Sequence, residues 1–247
     1  MNDYNIYQLN KKELLIYGGV GYIGGFLLIL LFFGSPIFSA VVGVGVAILF
    51  LKFIRKSKAE KQKKTIVVEF KDACDSFVSA LSAGYSMENS VTEAKKDLLL
   101  LYKKETSMIS ELDHISQRLK LGKPLDELLY DLGKRSGAED IIVFSQVYAT
   151  ARKSGGNLVK IMKRTSDAIG EKIEIEREVT TMISGKKMES MCMMIIPLLI
   201  IIYLNVFSPG FLAPLYQGLA GRAFMCVALI AYIATVLWSR KIMDIKM

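Results

Sequence analysis

Histidine and tryptophan each occur once in 247 residues, cysteine three times and proline five times. The single histidine, His114, lies among polar residues and reads as a surface side chain. A single histidine with no nearby Ser or Cys pattern gives no support for triad chemistry. Cys74, Cys192 and Cys226 form neither a CxxC nor a Cys/His spacing, so nothing points to a disulfide framework, zinc site or redox motif. A phosphate loop is also missing: Gly133-Lys134-Arg135-Ser136 and Gly185-Lys186-Lys187 both depart from GxxxxGK[ST]. Any work driven by ATP must then come from another subunit, and no cofactor is implied. Acidic residues are absent from residues 14–51 and 191–238.

Apolar residues fill those two blocks. The chain is 52% hydrophobic with a mean hydropathy of +0.35, too high for an ordinary soluble domain. The net charge of +8 resembles a nucleic-acid footprint only until it is divided. Residues 52–64 carry seven Lys/Arg against one acid, whereas residues 65–190 carry 19 against 20. Positive charge therefore flanks the apolar blocks, which marks membrane topology and argues against nucleic acid as a partner.

Leu14–Phe33 holds 20 residues without a charge, about 30 Å as a helix and enough to cross hydrocarbon. Gly34-Ser35-Pro36 makes a turn, and a second run, Pro36–Leu51, reaches Ile54 if Lys52 snorkels. A cleaved signal peptide is the competing reading of the first run. Its length and the apolar run that follows directly favour a helical hairpin. Met191–Phe207 and Ala223–Trp238 form a second pair, with Pro197 expected to kink the first of them. Gly21 and Gly25 have GxxxG spacing, and Gly43 and Gly45 lie in the second span. Small residues let helices approach closely, either within the hairpin or against another subunit. Lys and Arg crowd residues 52–64, Lys186-Lys187 and both chain ends, so both termini and the middle domain are expected in the cytoplasm.

The middle domain reads as six helices. Ile66, Phe70, Ala73, Phe77 and Leu81 form one apolar stripe, and Gly84 ends that helix. Ser86 caps the next, which runs to about Tyr102. A third covers about 107–121 and stops at Gly122, and Pro124 opens a fourth. A fifth starts near Gly137, and Gly155-Gly156-Asn157 separates it from the sixth. In the sixth, Leu158, Ile161, Thr165, Ala168, Ile175, Val179 and Met182 keep a three-four spacing, interrupted by Lys172. This helix is expected to continue through Met188 into the third span. Short turns between six helices predict an antiparallel bundle.

The segments DACDSFVSALSAGYSMENSVTEA (72–94), RLKLGKPLDELLYDLGKRSGAEDI (118–141) and ARKSGGNLVKIMKRTSDAI (151–169) resemble the type II secretion system F domain. Within that family the chain is most similar to the TadB/TadC proteins of tight-adherence (Flp) pilus machines. The positions that match the pattern are Gly84, Gly122, Pro124, Leu125 and Gly155-Gly156-Asn157-Leu158. SPGFLAPLYQGLAGRAFM and RKIMDIKM look more like TadB than TadC. The resemblance covers about residues 60–247. It implies a scaffold beneath a growing pilus, with an assembly ATPase, a paralogous F-domain protein and pilin or prepilin as partners, in a homo- or hetero-oligomer.

The expected fold is an all-α membrane protein in three parts. These are an N-terminal transmembrane hairpin (1–54), a cytoplasmic six-helix antiparallel bundle (55–190) and a C-terminal hairpin with a short tail (191–247). Glu171, Glu174 and Glu178 share one helix face, either a solvated surface or a docking face for basic residues of the ATPase. Residues 52–64 suit anionic lipid head groups. A small transporter or channel subunit is the rival function. Against it, the spans hold no charge apart from Lys52 at an edge.

Overall fold

The computed structural model describes residues 4, 9–154, 157–208, 210–216 and 218–243. Among them every regular element is a helix: α1 (Lys11–Phe33), α2 (Pro36–Ser82), α3 (Met87–Tyr102), α4 (Ser107–Lys120), α5 (Leu125–Ser136), α6 (Glu139–Ser154), α7 (Leu158–Phe207), α8 (Ala213–Tyr216) and α9 (Gly218–Met243). Four of these, α1, α2, α7 and α9, contain stretches long and apolar enough to cross a membrane.

The chain divides into two compact units. One comprises Arg55–Ile175 with the segment Met1–Gln8, of which Tyr4 is described; the other comprises Leu9–Ile54 and Glu176–Met247. By hydropathy alone the second boundary falls at residue 190, and the segment before α1 goes with the spans. Residues 52–64, set apart by charge, are helical throughout as part of α2. No Gly or Pro interrupts α2 between Gly45 and its end, and Lys, Glu, Gln and Ala are good helix formers. The expected continuation of the sixth bundle helix is observed: α7 is a single helix of 50 residues, and its assignment runs through Pro197.

In the bundle unit, polar pairs show which way the helices run. Lys95 pairs with Asp113 and Thr92 meets Ser116 at 3.2 Å. A step of three residues back along α3 is a step of three forward along α4, so the two are antiparallel. Ser166 of α7 donates to Asp75 of α2 at 2.7 Å, and Gly170 lies against Lys71, the same opposite progression. Arg152 reaches Asp126 across α6 and α5, while Gly133 faces Ile142 further along the same two helices.

The core centres on Ile66, Phe70, Leu132, Ile141, Phe144 and Tyr148. Phe70 and Phe144 meet edge to face with centroids 5.1 Å apart, a geometry favoured by the ring quadrupoles. Cys74 is buried in this core, and burial pushes its thiol well above the usual range. The stripe expected on α2 is present: Ile66, Phe70, Ala73 and Phe77 are buried and Leu81 packs against them.

The stripe expected on α7 is displaced. Met162, Ser166 and Ile169 are buried and Ile173 packs beside them, whereas Ala168 is exposed and Ile175 and Met182 are 53% and 69% exposed. The buried row contains a serine, which an apolar periodicity passes over. Its hydroxyl is accommodated by the bond to Asp75. Gly137, expected near the start of the fifth bundle helix, instead closes α5 with φ +61°, and α6 begins at Glu139.

In the other unit, α1 and the apolar part of α2 pack through glycine. A Cβ on Gly21 would lie 2.9 Å from a ring carbon of Phe50, and one on Gly25 would lie 2.8 Å from Val46 Cβ. Gly43 sits beside the Phe26 backbone, whereas Gly24 and Gly45 face open space. Pro197 cannot donate to a carbonyl one turn back. The Tyr232 hydroxyl of α9 donates to the neighbouring Met194 carbonyl at 2.9 Å, an interhelical bond of the kind that supports proline-bearing membrane helices. The Tyr216 hydroxyl donates to Leu31 O at 2.8 Å and accepts from Asn205 at 3.1 Å.

Gly25→Val should weaken the α1–α2 hairpin by about 1–3 kcal/mol, because the added methyls collide with Val46. Gly24→Val should change little. Denaturant unfolding of the two purified variants in the same micelles measures the difference.

Candidate docking surfaces on the bundle

Gly84 and Gly122 adopt φ of +87° and +80°, left-handed conformations that disfavour a Cβ. Pro124 is the extended residue immediately before α5, at its N-cap rather than inside the first turn. Asn157 caps α7 by accepting from Lys160 N–H at 3.0 Å. Gly155 and Gly156 lie outside the described residues. Because the helices alternate in direction, the α2–α3 turn, the α4–α5 turn and the start of α7 come to one end of the bundle. Leu121 and Tyr85 are exposed at that end.

Glu171, Glu174 and Glu178 are exposed on α7. Lys172 between them reaches Asp140 of α6 at 2.7 Å, which explains a lysine in the apolar spacing.

Two buried glutamates escape a reading based on periodicity. Glu69 of α2 accepts the Met108 N–H at 3.1 Å and so satisfies a free amide at the start of α4. Glu111 of α4 is 2% exposed. Arg135 of α5 grips it with two bonds of 2.8 and 2.7 Å, and Arg135 Nε reaches Asp131 at 3.0 Å. The Tyr4 hydroxyl donates to Glu111 at 3.0 Å, and the Tyr4 N–H donates to Arg135 O at 2.9 Å. Burial alone would raise the Glu111 pKa. The bonds and charge of Arg135, with the Tyr4 hydroxyl, outweigh it and hold the carboxyl below its ordinary value. Arg135 is held above its ordinary value, first by its bond to Glu111. Tyr4 is pushed up to about 12, first by burial and then by the Glu111 charge. The signal available in the sequence was Glu111, placed among the apolar positions of α4 one residue before Leu112 and four before Ile115.

Gly133 has a packing reason as well. A Cβ there would lie 2.6 Å from an Ile142 side-chain carbon and 2.9 Å from the Ile142 nitrogen. The incomplete phosphate-loop spelling at 133–136 is a close α5–α6 approach followed by an arginine that holds Glu111.

The family model for Type II secretion system (T2SS), protein F matches residues 73–205, more than half of the chain. The chain belongs to this family. No curated protein and no solved structure matches it. The matched stretch begins in α2, includes the whole α3–α6 series and ends near the close of α7. Together with four helices able to cross a membrane, it marks a multi-pass membrane protein of the type II secretion F class, whose members serve as non-catalytic platforms in secretion or pilus machinery.

Removing one partner of the Glu111–Arg135 pair leaves the other buried and unmatched. Arg135→Met should therefore cost about 3 kcal/mol. The depressed Glu111 pKa stabilises the fold above the ordinary glutamate value, and this contribution is lost as pH falls through the folded-state value. Wild type should lose stability on acidification below the ordinary glutamate range, and Glu111→Gln should show a shallower acid limb. Unfolding curves in uncharged detergent across that range provide the measurement.

Proposed function

We propose that this protein is a non-enzymatic inner-membrane platform of a tight-adherence or related type IV-like pilus machine, TadB-like rather than TadC-like. It couples a cytoplasmic assembly ATPase to extraction of pilin from the bilayer. The supporting observation is that α2 and α7 each contribute residues both to the bundle unit and to an apolar span. A helix shared in this way is a route by which a rotation or displacement can be passed along the chain. The chain carries no phosphate-loop sequence, so the energy enters through a contact with the ATPase.

In this reading residues 1–54 and 191–247 carry the membrane hairpins and residues 55–190 the cytoplasmic domain. Glu171, Glu174 and Glu178 form the docking face for basic residues of the ATPase. Residues 52–64 rest on anionic lipid, and Gly21, Gly25, Gly43, Gly45 and Pro197 shape the helix packing against which pilin or a paralogous F-domain subunit lies. The protein works as a homo- or hetero-oligomer. A small transporter or channel subunit remains the competing function, and reconstitution separates the two. A platform recovers ATPase and pilin from solution and moves no solute.

Two outcomes are expected. A cysteine placed at Gly210 should react with an impermeant thiol reagent applied to intact cells, and one placed at Gly156 should not; the reverse pattern overturns the orientation. Replacing Glu171, Glu174 and Glu178 together by Lys reverses the local field and should weaken ATPase recovery at low salt, abolish pili and leave membrane insertion intact. Equal recovery at low and high salt, with normal pili, would remove the docking role from this face.

A further inference from the structure

In the bundle unit α2 and α7 lie side by side and run in opposite directions, and four of their residues meet as a set. Asp75 accepts the Ser166 hydroxyl at 2.7 Å on one carboxylate oxygen and Lys71 Nζ at 2.6 Å on the other. Lys71 and Asp75 are one turn apart on α2, and Ser166 and Gly170 are one turn apart on α7. The set closes at its other end by contact. A Cβ on Gly170 would lie 3.1 Å from Lys71 Cε, so the missing side chain leaves a seat for the lysine stem. Lys71 is held above its ordinary pKa, first by its bond to Asp75, and the charge of Asp167 on α7 acts in the same direction. Ser166 is 1% exposed, so no water replaces Asp75 if the bond is lost, and a buried donor without a partner is costly.

The arrangement fits one register. Moving α7 by a turn along α2 brings Gly170 or Met162 opposite Asp75, and neither side chain has a donor. The same movement takes Gly170 away from Lys71 and sets a side chain against the lysine stem.

We propose that Lys71, Asp75, Ser166 and Gly170 form an interlock that makes the bundle portions of α2 and α7 shift as one body instead of sliding along each other. Asp75 is its positioning residue, because both polar contacts end on it, and Gly170 keeps the lysine within reach. In the platform reading, on which this consequence rests, a displacement of the bundle enters both span-bearing helices together.

The test uses neither pilin nor ATPase, so its outcome stands apart from the platform reading. The full chain in detergent micelles carries Cys192→Ser and Cys226→Ser, while Cys74 is buried and stays unlabelled. Nitroxide labels sit on cysteines placed at two exposed positions, Ser79 of α2 and Glu171 of α7. Pulsed electron–electron double resonance reads the distance between them. The parent should give one narrow distribution. Asp75→Ala and, separately, Gly170→Leu should broaden it or add a population displaced by about 5 Å, one helical turn, at unchanged helix content. Ser166→Ala removes only the cross-helix bond and serves if either of these variants misfolds. Added to Asp75→Ala it should change nothing more, since the bond is already gone. Thr92→Ala, which removes a polar contact between α3 and α4, should keep the parent distribution. The proposal is overturned if Asp75→Ala, Gly170→Leu and Ser166→Ala all keep it too. Equal broadening by Thr92→Ala also overturns it, because the effect would then be a general loosening of the bundle.

Discussion

A helix crossing hydrocarbon must satisfy every backbone amide within itself, because no water reaches it there. That requirement holds α2 and α7 helical through their apolar stretches, and nothing in the polar sequence beyond them calls for a stop. The run from Arg55 to Lys64 is rich in helix formers and free of Gly and Pro, so α2 continues to Ser82. In α7, Gly170 and Gly185 occur without ending the helix, since an isolated glycine costs only about 1 kcal/mol relative to alanine. The bundle is therefore built onto two helices whose length was set by neighbouring apolar sequence. The four helices between them turn at left-handed glycines, at caps, or at Lys103, which takes φ +52° despite its side chain.

The sequence was most legible where local chemistry acts alone. Ser86 caps α3, Gly84 and Gly122 hold positive φ, and the α2 stripe is the buried one. The α7 stripe was misread because Ser166 belongs to the buried row and becomes acceptable only when Asp75, 91 positions earlier, receives its hydroxyl. Glu69 and Glu111 were missed for a related reason. A glutamate is normally exposed, and the partners that make these two tolerable, Met108 N–H and Arg135, lie on other helices. Tyr4 stood in a short segment without periodicity, and its place depended on Glu111, 107 positions away. In each miss the deciding partner was distant in sequence and polar, which hydrophobic spacing does not register.

The polar contacts also give the bundle a register that apolar packing alone would leave loose. Leucine against leucine tolerates small slips, whereas Lys95–Asp113, Ser166–Asp75 and the bidentate Arg135–Glu111 grip each fit one alignment. Gly133 adds a steric element, since the Ile142 backbone approaches too closely for any side chain. The family-matched stretch, 73–205, contains all of these residues. Tyr4 lies well outside it, whereas Glu111 and Arg135, which it contacts, lie within it.

The burial of Cys74 has a practical consequence. Thiolate is the form that reacts with most thiol reagents, and this thiol is both enclosed and held in its protonated form. In the folded protein Cys74 is chemically silent, while Cys192 and Cys226 are exposed along the apolar helices. The native chain thus carries its own stopwatch for core opening: the rate at which a third thiol becomes reactive measures how often the centre of the bundle comes apart.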